Sequence, residues 1–228
     1  MSLLDRDFAL SSGERVVALA LDNVPPDHVA RYQYACDVLA SLPGPLFGAD
    51  VFCGGGYGSA MLAAQLPCTV LAVDGSAESI ARASQSYVNL NVFFVQKFFP
   101  FVLPPEKFDF IVSMESVEHV EQGETFFGLL VNALKPGGHL IISAPNLDVI
   151  DLAKNPYPWH YRHYSCGEIL SLAAARGLTL VEWFGADCTL VGEDGRVVSV
   201  NSFSHSSGTL RAQYPGDTLT YHFIKDSE

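Results

Sequence analysis

The stretch Asp50-Val-Phe-Cys53-Gly54-Gly-Gly56-Tyr57-Gly58-Ser59 follows an apolar run over 48–53 and leads into a helical pattern over 59–66. Glycines at a strand-to-helix turn let the backbone bend sharply. They also let a ligand approach the main-chain N–H groups at the helix N-terminus. Twenty residues beyond Gly54, a second apolar run, 69–74, ends in Asp74. A carboxylate at that place accepts two hydrogen bonds from a ribose diol. Either feature by itself is ordinary, because turns need glycine and Asp often caps helices. Together, at this spacing, they point to an adenosine-type ligand.

Outward from that turn, short apolar runs alternate with helical stretches. Strands are expected over 48–53, 69–74, 92–96, 108–114 and 139–144, with helices over 59–66, 77–89 and 124–134. Such βαβ alternation predicts a parallel sheet covered on both faces. Upstream, 27–42 reads as a helix with Val29, Tyr32, Cys36 and Leu39 on one face. Downstream of Pro145 the order changes. A Pro- and aromatic-rich loop over 155–164 precedes a helix over 165–176, a strand over 178–184, a hairpin near 191–198 and a last strand over 218–224. The late strands suit antiparallel pairing at the sheet edge. With no linker in view, 1–228 reads as a single α/β domain. Its parts are an N-terminal helical segment (1–45), a cofactor-binding half (46–146), and an acceptor loop with C-terminal edge strands (147–228).

Composition narrows the partners. The 228 residues carry 13 Lys and Arg against 25 Asp and Glu, a net charge of −12, which repels phosphate backbones and anionic membranes. Hydrophobic residues make up 49% and charged ones 17%, which excludes a disordered chain. The five cysteines are scattered and never spaced CxxC, so neither a disulfide framework nor a structural zinc site is expected. The first residues show no basic stretch followed by an apolar one, and the apolar run 16–21 is too short to span a bilayer. A cytoplasmic protein is the expectation.

The dinucleotide fingerprint wants a third glycine where this chain has Ser59. Asp50 would also crowd a pyrophosphate with like charge, whereas it suits a ligand bearing an ammonium and a sulfonium. A nicotinamide cofactor is therefore disfavoured. The chain resembles a class I S-adenosylmethionine-dependent methyltransferase over about residues 28–185, and the motifs that carry the likeness run in order. Asp50 to Ser59 resembles the family's first motif, and Asp74 its ribose-binding acid. Phe108-Asp-Phe-Ile-Val-Ser-Met114-Glu115-Ser-Val-Glu118-His119 resembles the fourth-strand motif. Leu134-Lys-Pro-Gly-Gly138 with Leu140-Ile-Ile-Ser-Ala-Pro-Asn146 resembles the following turn and fifth strand. His28-Val-Ala-Arg31-Tyr32 is similar to the N-terminal helix of a subgroup that methylates metabolites and sugars. The resemblance implies a doubly wound, seven-stranded, mostly parallel sheet with an antiparallel edge strand. It implies S-adenosylmethionine as cofactor, with Arg31, Tyr32, Asp50, Cys53, Gly54, Gly56, Gly58, Asp74, Gly75, Gln96, Met114 and Glu115 around it. One departure is plain: after the third strand, where the family carries an acid near the adenine amine, this chain reads Gln96-Lys-Phe-Phe99.

Methyl transfer from a sulfonium demands alignment, and a base is needed only when the acceptor must lose a proton. His119, just past the fourth strand, is the expected catalytic group, with Glu118 orienting it; the competing reading of His119 is a structural histidine bonded to a carbonyl. The loop Lys154-Asn-Pro-Tyr157-Pro-Trp-His160-Tyr-Arg162-His163-Tyr164 gathers cationic and aromatic side chains in an acidic chain. It is the expected acceptor pocket, with Tyr57, His160, Arg162 and His163 holding a small anionic or glycan-like molecule. Arg162 could instead tie the loop to an internal carboxylate. His160 and His163 lack companions in the sequence for a zinc site, so no metal is expected. Two other readings stay open: a catalytically silent cofactor-binding partner subunit, and a nicotinamide-dependent oxidoreductase.

Overall fold

In the computed structural model, residues 23–88, 90–200 and 208–227 are described. Readings that fall on 1–22, Asn89 and 201–207, among them the apolar run 16–21, lie outside the described residues. Helix α1 (Pro26–Leu39) starts on a proline pair, whose fixed φ suits a first helical turn. It is followed by β1 (Leu46–Val51), α2 (Tyr57–Gln65), β2 (Cys68–Asp74), α3 (Ala77–Ser86), β3 (Val92–Gln96) and β4 (Phe108–Ser113). A 3-10 turn, Val117–His119, leads into α4 (Gly123–Ala133) and β5 (Leu134–Pro145). Then come α5 (Cys166–Ala174), β6 (Leu178–Ala186), β7 (Thr189–Val191), β8 (Val197–Val200), β9 (Arg211–Ala212) and β10 (Thr218–Lys225). No described helix is long and apolar enough to cross a membrane.

The main sheet runs in the order β3-β2-β1-β4-β5-β10-β6-β9, and β7 pairs separately with β8. Strands β1 to β5 pair parallel, while β10 runs antiparallel to both β5 and β6. Side chains alternate between two cores. Phe110, Val112 and Ile141 face Leu39, Met61 and Leu62 of α1 and α2. Ile111, Leu140 and Ile142 face Phe126, Phe127, Leu130, Ile169 and Ala173 of α4 and α5. A strand period of two between two helical layers produces that division.

Three expectations are corrected. The sheet has eight strands, because the two-residue β9 adds an edge beyond β6. The last strand lies inside the sheet, inserted between β5 and β6, with Thr218 to Phe223 all buried. An interior strand covered on both faces needs that continuous burial. The turn expected at Lys135–Gly138 is absorbed into β5, where Gly137 takes φ +73° and the pairing register shifts between Phe108 and Phe110. Elsewhere the helices end one to three residues from their expected bounds. The strand order reverses between β1 and β4, which opens a crevice at the carboxyl ends of the parallel strands.

Candidate functional site

The turn after β1 is built for close approach. Phe52 and Cys53 donate their N–H groups to the Val73 carbonyl at 2.7 and 3.0 Å, which draws the loop onto β2. Gly54 takes φ +52°, and a Cβ placed on it would meet nothing within 4 Å, so the crest of the turn faces open space. Gly56 takes φ +79°, and a Cβ there would come within 2.7 Å of Phe94 and 2.8 Å of Ala83. At Gly58 the room a side chain would need is filled by the Tyr32 ring, 2.0 Å from an ideal Cβ. Gly58 therefore serves the packing of α2 on α1. Cys53, at the start of the turn, is buried.

Asp74 stands at the end of β2, 3% exposed. One carboxylate oxygen accepts the Gly54 N–H at 3.0 Å and the other the Ser76 N–H at 2.8 Å, so its position is fixed by the glycine turn itself. Gln96, at the end of the adjacent β3, donates to the Gly75 carbonyl at 3.1 Å. Asp50 departs from expectation. It is completely buried, and accepts from Ser59 at 2.6 Å and from Tyr32 at 3.1 Å rather than presenting its charge to the crevice. Burial raises its carboxyl to about 7, outweighing the hydrogen bonds from Ser59 and Tyr32 that pull the other way.

A second set of residues locks α1 to the ends of β4 and β5. Arg31, 1% exposed, donates to Asp27 at 2.7 Å, to Glu115 at 2.7 Å and to the Ser143 hydroxyl at 2.9 Å. Ser143 in turn donates to Glu115 at 2.6 Å and accepts the Glu115 N–H at 3.1 Å. Burial would push Asp27 up, but Arg31 and His28 hold it below the usual carboxylate range. Burial, helped by the Arg31 charge, lowers His28 to about 4. Tyr57 is buried beneath this group and shares a 2.9 Å hydrogen bond with His28. Glu115 itself takes φ +47°, a left-handed conformation for a residue with a side chain, next to the buried Met114. Asp27 and Ser143 were missed in the sequence. They are single residues in a helix and a strand, and their partners are remote.

Past β4, the 3-10 turn carries Glu118, fully buried, and His119, partly exposed. The loop over 154–164 folds back onto it, with the Tyr161 N–H donating to the Glu118 carbonyl at 2.8 Å. His119 Nδ1 lies 2.9 Å from the Trp159 carbonyl; a carbonyl only accepts, so Nδ1 carries the proton. The His160 ring stands edge-on to His119 at 4.7 Å between centroids. His160 also bonds His163 at 2.7 Å, and His163 Nδ1 donates to the Ile150 carbonyl at 2.6 Å. The expectation that His160 lacks companions is thus corrected: one ligand-type atom each from Glu118, His119 and His160 lies within 4.8 Å of the others.

Arg162 takes the internal role. It pairs with Glu168 and, at 3.8 Å, with Glu124, while its guanidinium stacks 4.6 Å from the centre of the Tyr164 ring. Glu168 is also half of the Ser165 capping box that starts α5. Arg162 therefore anchors the loop to a helix.

Comparison with known proteins fits this geometry. A family model for a methyltransferase domain matches residues 49–142. The ubiquinone biosynthesis O-methyltransferase of Rickettsia felis is 36% identical over 100 residues, which are 42% of this chain and 40% of that protein. For the next two curated relatives the match spans 55% and 36% of their length. Among solved structures, YcgJ from Bacillus subtilis superposes with a TM-score of 0.66 at 16% identity, over 88% of this chain and 100% of that one. A Haloferax volcanii chain solved in complex with the Trm112 methyltransferase activator gives 0.68 at 15% identity, over 92% and 95%. Identities this low speak for the fold. The matched segment, residues 49–142, reads as a methyltransferase domain, and the motif series that runs through it resembles that of the class I S-adenosylmethionine-dependent methyltransferases.

Proposed function

We propose that the chain transfers the methyl group of S-adenosylmethionine to a hydroxyl oxygen of a small polar acceptor. The observation that carries this reading is the convergence, at the carboxyl ends of β1, β2 and β4, of an open glycine turn, a fixed Asp74 and the Glu118–His119–His160 group. The residues fit the cofactor. The crest at Gly54 leaves space for it, Asp74 would hold its ribose diol, and Gln96 and Gly75 would flank its adenine. Glu115 and Met114, steadied by Arg31, would border its methionine end. Tyr32, Asp50, Cys53, Gly56 and Gly58 shape the turn from behind. When bound, the cofactor supplies an electrophilic methyl group on a sulfonium.

The chain's own residues do the positioning and the proton work. The loop over 154–164 folds onto the Glu118–His119 turn and would bring His160 to the acceptor, with His163 behind it as a support rather than a contact, and with aromatic faces suited to a flat or sugar-like ring. His119 activates the acceptor hydroxyl, and its tautomer, fixed by Trp159, makes Nε2 the nitrogen that meets it. The R. felis relative's name, an O-methyltransferase, supports oxygen as the acceptor atom. All five cysteines are thiols, which supports a cytoplasmic setting. The test is calorimetric titration with S-adenosylhomocysteine, then transfer of labelled methyl to a panel of phenols, sugars and hydroxy acids. Binding followed by an oxygen-methylated product supports the reading. Binding of NADH in its place, or binding of S-adenosylhomocysteine with no transfer to any acceptor, refutes it.

A further inference from the structure

We infer that Glu118, His119 and His160 form a binding site for a divalent transition-metal ion of the zinc or cobalt type. The three ligand-type atoms lie within 4.8 Å of one another, and His119 Nε2 is 3.8 Å from a Glu118 oxygen. Ligands on a tetrahedral zinc stand about 3.3 Å apart, so side-chain rotation of an ångström or so closes the set. Two imidazoles and one carboxylate make a borderline donor set that selects such ions over calcium or magnesium. They also leave coordination positions open, as catalytic sites do.

The tautomers decide which nitrogens face the ion. His119 Nδ1 donates to the Trp159 carbonyl at 2.9 Å, so its lone pair is on Nε2. His163 Nδ1 donates to the Ile150 carbonyl at 2.6 Å, which makes His163 Nε2 the acceptor of its 2.7 Å bond with His160. His160 Nδ1 is therefore the donor of that bond, and its lone pair too is on Nε2. The His119 ring is oriented by a hydrogen bond on Nδ1 while Nε2 faces Glu118, and the His160 ring is held through its own Nδ1 by His163, the kind of support that metal-binding histidines use. Glu118 is fully buried, in a setting where a carboxylate gains most from a nearby cation. The Tyr161 N–H to Glu118 carbonyl bond at 2.8 Å pins the loop that brings His160 in. Metal binding itself does not depend on the methyl-transfer reading. The ion's purpose does rest on it: a Lewis acid beside the acceptor would lower the hydroxyl's pKa, with His119 then a ligand.

The test begins with protein stripped by chelator and dialysed, then titrated with Co²⁺ by visible absorption and with Zn²⁺ by calorimetry. One equivalent is expected to bind, with the cobalt spectrum of a low-coordinate nitrogen and oxygen site. His160→Ala, whose side chain is only partly buried, is expected to weaken binding by on the order of 100-fold or more, and His163→Ala by about 10–100-fold. Thermal melts and S-adenosylhomocysteine titrations on the same samples establish that each variant is folded. Wild-type protein that binds neither ion overturns the inference. So does a folded His160→Ala that binds as tightly as wild type. Loss of S-adenosylhomocysteine binding with metal binding intact would count against the cofactor reading and leave the metal site standing.

Discussion

Arg31 donates to Glu115 at 2.7 Å across 84 positions of sequence, and that bond joins the first helix to the crevice. Glu115 sits at φ +47°, a conformation that persists only when its surroundings over-determine it. Its surroundings do so here, through Arg31 and Ser143 on the side chain and Ser143 on the N–H. The carboxylate that borders the proposed methionine end is thus held by a helix outside the βα series.

Replacing Arg31 tests that link. Arg31→Met keeps the apolar stem but leaves Asp27, 1% exposed, as an uncompensated buried charge. Breaking one partner of such a pair costs about 3–5 kcal/mol. Urea unfolding is expected to show a loss of that order. Adding Asp27→Leu is expected to recover part of it, because the orphaned charge is removed. A single variant as stable as wild type would mean that the pair contributes nothing.

Asp74 is expected to govern cofactor affinity. Its side chain is fixed by the Gly54 and Ser76 N–H groups, so truncation removes both a ligand contact and the buttress of the turn. Asp74→Ala is expected to weaken S-adenosylhomocysteine binding by about 1.5–3 kcal/mol, or 10–150-fold, in calorimetry. An unchanged affinity would remove Asp74 from the cofactor site.

The two glycines of the turn are expected to fail in different ways. A Cβ on Gly54 meets no atom within 4 Å but extends into the crevice, and at φ +52° it adds backbone strain of about 1–2 kcal/mol, so Gly54→Ala is expected to lower the melting temperature modestly and cofactor affinity strongly. At Gly56 the Cβ itself would overlap Phe94 and Ala83, so Gly56→Val is expected to lower the melting temperature as well. If both variants melt together and bind alike, the open space at Gly54 has no bearing on ligand binding.

The proposed function puts the chemistry at His119. His119→Ala is expected to lower turnover by on the order of 10²–10⁴-fold while S-adenosylhomocysteine affinity stays nearly unchanged. Arg162→Ala, whose partners are Glu168 and Glu124, is expected to keep most of that turnover. A His119 variant of normal rate removes it from the reaction. An Arg162 variant with turnover abolished but a normal melt returns Arg162 to the acceptor site.

What could be read from sequence was local. The glycine turn, Asp74, the β4 segment and the strand after it each announce themselves within a dozen residues, and the parallel half of the sheet follows from their order. The place of β10 is invisible in a periodicity, because alternation identifies a strand and says nothing about its neighbours. The Arg31–Glu115–Ser143 group spans 112 positions, and the Glu118–His119–His160 group is closed by a loop that returns 42 residues later. Nothing in such spacings betrays contact. Arg162 was more legible than its first reading: Ser165-x-x-Glu168 is a capping-box signature, and a glutamate fixed at a helix start six residues away is a ready partner for it. Asp50 was misjudged because sequence shows a charge and not its burial.

That burial predicts a pH signature. The folded protein holds the Asp50 carboxyl at about 7, against 3.8 for the group in an exposed chain. Between those values the native state keeps a proton that the unfolded state has released, so this group's effect on stability worsens as pH rises from about 4 to 7 and is constant above. Asp50→Asn removes the titration. Its amide resembles the neutral acid and still offers an oxygen to Ser59 and Tyr32, the two donors now bonded there. The variant is therefore expected to be more stable than wild type at pH 8, by on the order of a few kcal/mol, and the gain should shrink toward zero near pH 4. His28 and His222, each lowered to about 4 chiefly by burial, act in the opposite direction. They withdraw stability as pH falls from 6.5 to 4, but equally in both proteins, so they cancel in the difference. Thermal or urea unfolding of the pair at pH 4, 5, 6, 7 and 8 checks it. A difference that is flat across that range would mean that Asp50 is ionised in the folded protein, its charge met by Ser59 and Tyr32.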